Sequence, residues 1–386
     1  MNSKTVMNFF QDYLSQEAKT GQSVCGDVCA CERTAAGTYF ILCDGIGSGV
    51  YANIAAITCL SRIKELLRRG VTARRTSETV ADSMHLARRE DIPFSAFIIT
   101  AILPDGHFTV YTYEAPGAVL LRAAGAVLLP PRVCAAGAET IGEAAGRLRL
   151  GEALLLFSDG VTQAGMGRGW GTGIGAEGAA SYISRVCKRG FDPRELPEKI
   201  VAMCRGLDQE RCEDDTTCAL LHCREARELT MLTGPPSRPG LDRDCAAAFW
   251  AAPGQKVICG STTAEIVARE SGRRIDVLRA GSSFASPPEY SVAGVDLAAE
   301  GAVTLNQVYN IIDEPEEALG EDSVVERFCL MLNRADVIHL MIGKAVNDAH
   351  EEILFKQIGV RARQTAVALI AEKLRAKGKL VTEKYW

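Results

Sequence analysis

The stretch TYFILCDGIGSG, residues 38–49, joins an apolar strand to an acid-glycine turn and then to a glycine-rich helix start. An acid-glycine turn also follows the apolar run in LLFSDG at 155–160, an acid turn adjoins another apolar run in CEDDTTCALL at 212–221, and a fourth acid, Asp27, lies in CGDVCAC. An aspartate at a strand end presents its carboxylate at the rim of the sheet, where several such groups can converge. Carboxylates without His or Cys ligands favour Mg²⁺ or Mn²⁺ over structural zinc. A single aspartate turn at a strand end is most often only a turn. The prediction of a Mg²⁺ or Mn²⁺ site therefore rests on the recurrence of such turns.

Short apolar or β-branched runs, bounded by Gly, Pro and Asp, dominate the first 225 residues. The sequence PDG at 104–106 predicts a hairpin turn between two of them. Amphipathic helices are predicted at 51–70 and 79–90. Strands that pair locally, with helices set apart, predict an α+β fold in which a β-sandwich is flanked by helices.

A linker is predicted at 233–244, where TGPPSRPGLDRD places three prolines and two glycines together. It would separate a first domain, 1–232, from a smaller α/β domain, 245–386. In the second domain QKVICG, STTAEIVARESG and RRIDVLRA follow one another as strand, helix and strand, and ADVIHLMIG followed by NDAHEEILFKQIG (347–359) repeats the rhythm.

Composition excludes several classes of protein. The 386 residues are 47% hydrophobic and 24% charged, which is typical of globular domains. The net charge of −5 disfavours a nucleic-acid binder. The N-terminus lacks the apolar core of a secretory signal, and no run approaches 18 uninterrupted apolar residues, so we expect a cytoplasmic protein without membrane spans.

Five stretches in order resemble the metal-dependent protein phosphatases of type 2C, within them the stage II sporulation protein E branch of bacterial serine phosphatases. They are CGD at 25–27, CDGIGSG at 43–49, FSAFIITAILPDGHFTVYTYEAPGAVLLR at 94–122, LRLGEALLLFSDGVTQAG at 148–165 and EDDTTCALL at 213–221. The resemblance covers roughly residues 20–225.

The resemblance implies two divalent cations, Mn²⁺ or Mg²⁺, and a phosphorylated protein as substrate. Asp44 would bridge the metals, with the Gly45 carbonyl on one of them, and Asp159 and Asp214 would bind the other. Asp27 would be an auxiliary catalytic acid that orients the attacking water; Asp215 is expected to point away from Asp214. Two cations would activate a bridging water in line with phosphorus and neutralise charge on the phosphoryl oxygens.

The general acid is left open. Where many type 2C phosphatases have a histidine after Asp-Gly, this chain has Ile46, as in the sporulation branch. The resemblance gives no role to His85, His107 or His222. The helix after Asp44, with Ser48 or Gly47 able to cap it, is the expected switch for metal binding.

Two further features of the first domain have open interpretations. GMGRGWGTGIGAEG at 165–178 is expected to be a mobile flap beside the active site rather than a dinucleotide motif. Cys25, Cys29 and Cys31 alternate on one predicted strand and, like Cys43, favour a core face over redox chemistry.

In the second domain the backbone amides and hydroxyls of Gly260, Ser261, Thr262 and Thr263 present an anion cup or, equally, an ordinary helix cap. GKAVND at 343–348 ends another strand. We therefore expect a small anionic ligand or a protein partner there.

The leading hypothesis is a phosphoserine or phosphothreonine phosphatase in signalling, regulated by its C-terminal domain. A pseudophosphatase that acts as an interaction module is the alternative, and a nucleotide-binding C-terminal enzyme is a third, without a complete nucleotide motif. A homodimer remains open.

Overall fold

The computed structural model describes residues 7–90, 92–188, 192–280, 287–345 and 360–386. The chain divides into two compact units, of which one is formed mainly by residues up to Glu225 and the other mainly by residues from Ala226 onward. Among the helices within these ranges, none combines the length and apolar character that a membrane crossing needs.

The first unit contains two antiparallel sheets. Their strands are β1 Asn8–Glu17, β2 Asp27–Thr34, β3 Gly37–Gly45, β4 Ser95–Ile102, β5 His107–Tyr113, β6 Val119–Arg122, β7 Gly125–Leu128, β8 Arg132–Ala136, β9 Glu139–Arg147, β10 Ala153–Phe157 and β11 Thr216–Glu225. One sheet has the order β1-β11-β10-β6-β7 and the other β2-β3-β4-β5-β9-β8. The predicted hairpin at 104–106 joins β4 to β5.

Helices cover the outer faces of both sheets. They are α1 Gly49–Arg68, α2 Ala73–Arg89, α3 Asp159–Gln163, α4 Gly175–Cys187 and α5 Leu196–Leu207. Strand alternation explains the layers: Phe40 and Leu42 of β3 lie in the core between the sheets, whereas Ile41 packs with α1 and α2. Likewise Leu154 faces the inner core and Leu155 packs with α4 and α5. The predicted β-sandwich flanked by helices is confirmed.

The second unit is an α/β layer structure around one sheet. Its strands are β12 Glu228–Thr233, β13 Gln255–Cys259, β14 Ile275–Arg279, β15 Glu289–Val292, β16 Leu297–Ala299, β17 Val337–Ile342 and β18 Leu380–Tyr385, in the order β14-β15-β16-β13-β12-β17-β18. Its helices are α6 Asp242–Ala251, α7 Ser261–Glu270, α8 Ala302–Ile311, α9 Val324–Arg334 and α10 Arg363–Ala376. In the sheet, the five neighbouring strands β16, β13, β12, β17 and β18 pair in parallel.

The boundary differs from the predicted linker at 233–244. Strand β12 lies before that segment, yet it pairs along its length with β13 and β17 in the middle of the second sheet. The proline-rich stretch is therefore a loop inside the second unit, leading from β12 to α6. Proline and glycine mark a chain turn, but they do not show which sheet the preceding strand joins.

Two other predictions for this half have different outcomes. RRIDVLRA forms β14, but it pairs antiparallel with β15 at the sheet edge rather than completing a parallel unit. The helix predicted at 347–359 and residues 346–348 of the GKAVND motif lie outside the described residues.

Candidate active site

Four aspartates gather where strands of both sheets begin or end. Asp44 lies at the end of β3 beside Asp27 at the start of β2, and these strands are neighbours. Asp159 follows β10 and Asp214 precedes β11, and this antiparallel pair brings its ends together at Phe157 and Cys218. The Gln16 side chain of β1 joins the two groups, because its Nε2 donates to the Asp27 carbonyl at 3.3 Å and to Thr217 Oγ1 at 3.0 Å.

Glycine is required beside two of these aspartates because backbone segments approach closely. A β-carbon on Gly45 would lie 1.8 Å from the Ala52 carbonyl oxygen of α1. One on Gly160 would lie 2.3 Å from the Asp215 carbonyl oxygen. The acid-glycine pairs therefore set the distance between a strand end and the next element, which turn formation alone would not require.

Burial and mutual repulsion dominate the electrostatics. Burial raises the pKa of Asp44 to about 10, and the charges of Asp27 and Asp159 add to the shift. The pKa of Asp214 is raised by burial and by Asp159. Neighbouring carboxylates in a buried site destabilise one another, so the cluster calls for a compensating positive charge.

Asp27 gives the most direct sign of an absent partner. Both of its carboxylate oxygens are buried and make no hydrogen bond to the described residues. Burial raises its pKa to about 7, although the nearby hydroxyl groups of Thr217 and Ser158 oppose the shift. A buried carboxylate without a donor is costly, and a cation or its bound water would satisfy it.

The donor set fits hard divalent cations, since it consists of carboxylate and carbonyl oxygens. The described side chains include no group of three or more His, Cys, Asp or Glu residues that could enclose one ion. The carboxylates are neighbours that interact electrostatically rather than a closed cage.

Hydrogen bonds from neighbouring groups orient the acids. Sequence reasoning missed one of these neighbours, the side chain of Gln163. Gln163 Nε2 donates to Asp159 Oδ2 at 2.6 Å. The signal was its position one helical turn after Asp159 in SDGVTQ. Asp215 accepts from the Lys19 amide at 3.0 Å, while its own amide donates to Asp214 Oδ1 at 3.0 Å. Asp215 therefore fixes the local backbone; that its side chain points away from Asp214 stays a prediction.

The segment 165–178 borders the cluster. Residues Met166 to Arg168, together with Asp214 and Glu213, line a cavity of about 430 Å³. Arg168 donates to the Asp208 carbonyl at 2.6 Å and pairs with Glu213. These contacts hold the arginine beside the site; mobility of the flap stays a prediction.

Two of the three histidines considered, His85 and His107, pair with acids other than the four aspartates. His85 Nδ1 lies 2.7 Å from Glu139 Oε1, and His107 Nδ1 lies 2.8 Å from Asp105 Oδ2. Burial lowers the pKa of His222. None of these contacts identifies a general acid.

The cysteines show environments opposite to those of reactive thiolates. Burial raises the pKa of Cys25 to about 12 and also raises the pKa values of Cys29 and Cys43. Cys29 and Cys31 pack against the core between the sheets, as alternation predicted, whereas Cys25 precedes β2.

Helix caps differ from expectation at α1 and α7. Ser48 occupies the cap position of α1 without a side-chain hydrogen bond. Gly260 is the cap of α7, so neither Ser261 nor Thr262 caps that helix. Thr262 is exposed and Thr263 is buried.

Comparison with known proteins identifies the family. Residues 34–224 match the family model described as stage II sporulation protein E, a range that includes Asp44, Gly45, Asp159 and Asp214. This part of the chain therefore belongs to the stage II sporulation protein E family. No curated protein matches the chain in sequence.

Solved structures similar to this chain include a phosphatase domain. The phosphatase domain with a regulatory fragment of SpoIIE from Bacillus subtilis is 17% identical with a TM-score of 0.49, and the match covers 57% of this chain and 65% of that one. The RsbU and RsbW domains of Rv1364c from Mycobacterium tuberculosis are 16% identical, with a TM-score of 0.45 and coverage of 64% and 68%. RsbX in complex with magnesium is 16% identical, with a TM-score of 0.41 and coverage of 57% and 98%. This chain thus spans just under two thirds of the first of these.

Proposed function

We propose that the first unit is a Mg²⁺- or Mn²⁺-dependent phosphatase acting on phosphoserine or phosphothreonine in a protein substrate. The observation that carries the proposal is the orphaned Asp27 carboxylate within a cluster of buried aspartates in a domain of a phosphatase family. Membership of that family supports a cytoplasmic signalling role.

Asp44, Asp159 and Asp214, with the Gly45 carbonyl, would hold the cations. Divalent cations supply the activation of water and the neutralisation of phosphoryl charge that this hydrolysis needs. Asp27 lies beside Asp44, where its unpartnered oxygens can accept hydrogen bonds from a water molecule and orient it. Gln163 keeps Asp159 in position, and Arg168 lies at the rim of the cavity, where it can meet a phosphate.

Phosphate release from a phosphoserine peptide tests the proposal. We expect turnover with added Mn²⁺, none with chelator, and a loss of at least about a hundredfold in Asp44→Asn. Asp105→Asn, in the exposed β4–β5 hairpin, is the matched control and should retain activity. Metal-independent turnover would contradict the proposal; wild-type protein that binds Mn²⁺ without turnover would favour a pseudophosphatase.

We further propose that the second unit regulates this activity. Its support is that the unit has a core of its own and a candidate ligand site. A ligand can regulate only if it binds active and inactive states with different affinity. Adding a ligand of the second unit should change the phosphatase rate of the full chain. The same addition should leave the rate of the Thr263→Val variant unchanged.

A further inference from the structure

The carboxyl edge of the second unit's sheet repeats one arrangement on two neighbouring strands. β13 and β16 are each followed by a glycine, Gly260 or Gly301, that precedes a helix. The third residue of each helix is a threonine, Thr263 in α7 and Thr304 in α8. The carboxyl edge is where ligands bind in open α/β sheets.

Within the described residues, the start of α7 has no side-chain cap. Gly260 has φ 126°, which favours glycine, and it has no side chain to accept hydrogen bonds from the first amides of the helix. At α8, by contrast, Glu300 Oε1 already accepts from the Gly301 amide at 3.0 Å. The start of α8 therefore has a carboxylate beside its cap residue, which disfavours a second anion there, and the first turn of α7 is the better anion site of the two.

A buried hydroxyl independently indicates a ligand. Thr263 is 2% exposed, and its Oγ1 has no hydrogen-bond partner among the described residues. This oxygen lies 3.0 Å from the position that a β-carbon on Gly260 would take, so it faces the space in front of that glycine. An unsatisfied buried hydroxyl group is costly, and a bound acceptor would offset that cost.

Neither glycine places a side chain of its own at this edge. A β-carbon on Gly260 would meet the Thr263 side chain alone within 4 Å, apart from its chain neighbours. One on Gly301 would meet only the Gly260 backbone, at 3.5 Å. We refer to this edge without glycine side chains, at the ends of β13 and β16, as the recess.

A half-buried cation lies at the ends of β12 and β17, on the other side of β13. The Arg363 guanidinium donates to the carbonyl oxygens of Thr233 and Gly343, at 2.7 and 2.9 Å. Thr233 pairs with Cys259, the last residue of β13. No carboxylate among the described residues pairs with Arg363, so its positive charge favours an anion at this edge.

We infer that the recess between Gly260 and Gly301 binds the phosphate group of a small molecule, through the first amides of α7 and the Thr263 hydroxyl. Tetrahedral oxyanions suit several converging N–H and O–H donors at a helix start. The inference concerns the second unit alone and does not depend on phosphatase activity.

Calorimetry on the full chain tests this inference with inorganic phosphate and adenosine 5′-monophosphate. The Asp44→Asn background with chelator prevents phosphate from binding through metal in the first unit. We expect one site for each probe, with Thr263→Val weakening binding about tenfold or more, since it removes a charge-assisted hydrogen bond. Gly301→Ala should also weaken it by filling the recess.

Thr100→Val is the matched control, because Thr100 is likewise buried with an unpartnered Oγ1 but lies on β4 of the first unit. It should leave binding unchanged. Tighter binding of the nucleotide than of phosphate would identify a phosphate-bearing metabolite, and equal binding would identify the phosphate group alone. Absence of binding of both probes at millimolar concentration, or unchanged binding in both Thr263→Val and Gly301→Ala, would overturn the inference.

Discussion

At the scale of single residues, the Asp44 carboxyl group that we propose binds metal also lowers the stability of the metal-free fold. Its carboxylate is buried among other acids, so the metal-free fold is destabilised by the same charges that would bind cations. Such opposition between stability and function is common at active sites. Asp27 shares this cost, since both of its oxygens lack hydrogen bonds to the described residues.

We predict that Asp44→Asn raises the melting temperature of the protein in chelator while abolishing metal binding. Because the raised pKa means that folding must protonate or bury this carboxyl group at a cost, its replacement by an amide should stabilise the fold by about 1 kcal/mol or more, or a few degrees. Differential scanning calorimetry with and without Mn²⁺ measures both effects, with Asp105→Asn as the exposed control. A lower melting temperature of Asp44→Asn in chelator would contradict the electrostatic account.

Lys379 is the residue whose ionisation should govern stability in mildly alkaline solution. It lies between α10 and β18, where its Nζ donates to the Asn333 and Ala335 carbonyl oxygens at 2.5 and 2.7 Å. Burial lowers its pKa from 10.5 to about 8. The folded protein therefore holds this proton less tightly than the unfolded chain does.

The contribution of Lys379 to the free energy of unfolding should consequently rise with pH between about 8 and 10.5, with the cost of the charge fully present below pH 8. We expect wild type to gain on the order of 1 kcal/mol relative to Lys379→Met between pH 7 and pH 10. Urea unfolding at both pH values measures the difference. A gap that does not change with pH would mean that Lys379 titrates normally.

At the scale of elements, close approach of backbone fixes the candidate site. The turn from β10 into α3 carries Asp159, and Gly160 lets that turn lie against the start of β11. Neither helix propensity nor turn formation demands glycine here, because the constraint comes from a segment more than fifty residues away.

We predict that Gly160→Ala destabilises the protein by about 1–3 kcal/mol, because the added methyl group would overlap the Asp215 carbonyl. It should also weaken Mn²⁺ binding by displacing Asp159. Gly206→Ala is the control, since a β-carbon there on α5 meets nothing within 4 Å; alanine should stabilise that helix slightly. If the two variants unfold alike, the packing argument fails.

At the scale of the whole molecule, each unit has its own core and the boundary lies between Glu225 and Ala226. Strand β12 is central to the second sheet, with β13 on one side and β17 on the other. Loss of this strand would expose two strand edges in the middle of the sheet.

We predict that residues 1–225 fold alone and retain metal-dependent hydrolysis of an aryl phosphate. Residues 226–386 should also be soluble and folded, whereas residues 241–386, which lack β12, should aggregate. Circular dichroism and size-exclusion chromatography distinguish these outcomes. A soluble, cooperatively folding 241–386 fragment would place the boundary at the proline-rich segment after all.

The sequence by itself determined the features that depend on neighbouring residues. Apolar runs specified β3, β10 and β11, and the acid-glycine turns specified where Asp44 and Asp159 would stand. The resemblance of those motifs sufficed for the family and the sandwich, because strand and turn signals are local.

Only the tertiary structure decided the features that depend on distant partners. It assigned β12 to the second sheet and left the oxygens of Asp27 and Thr263 without hydrogen-bond partners among the described residues. Strand pairing and burial arise from residues far apart in the chain, so no local pattern encodes them. The apolar stretch ELTMLT has the same letters whichever sheet it joins, and its neighbours in space, not in sequence, make the choice.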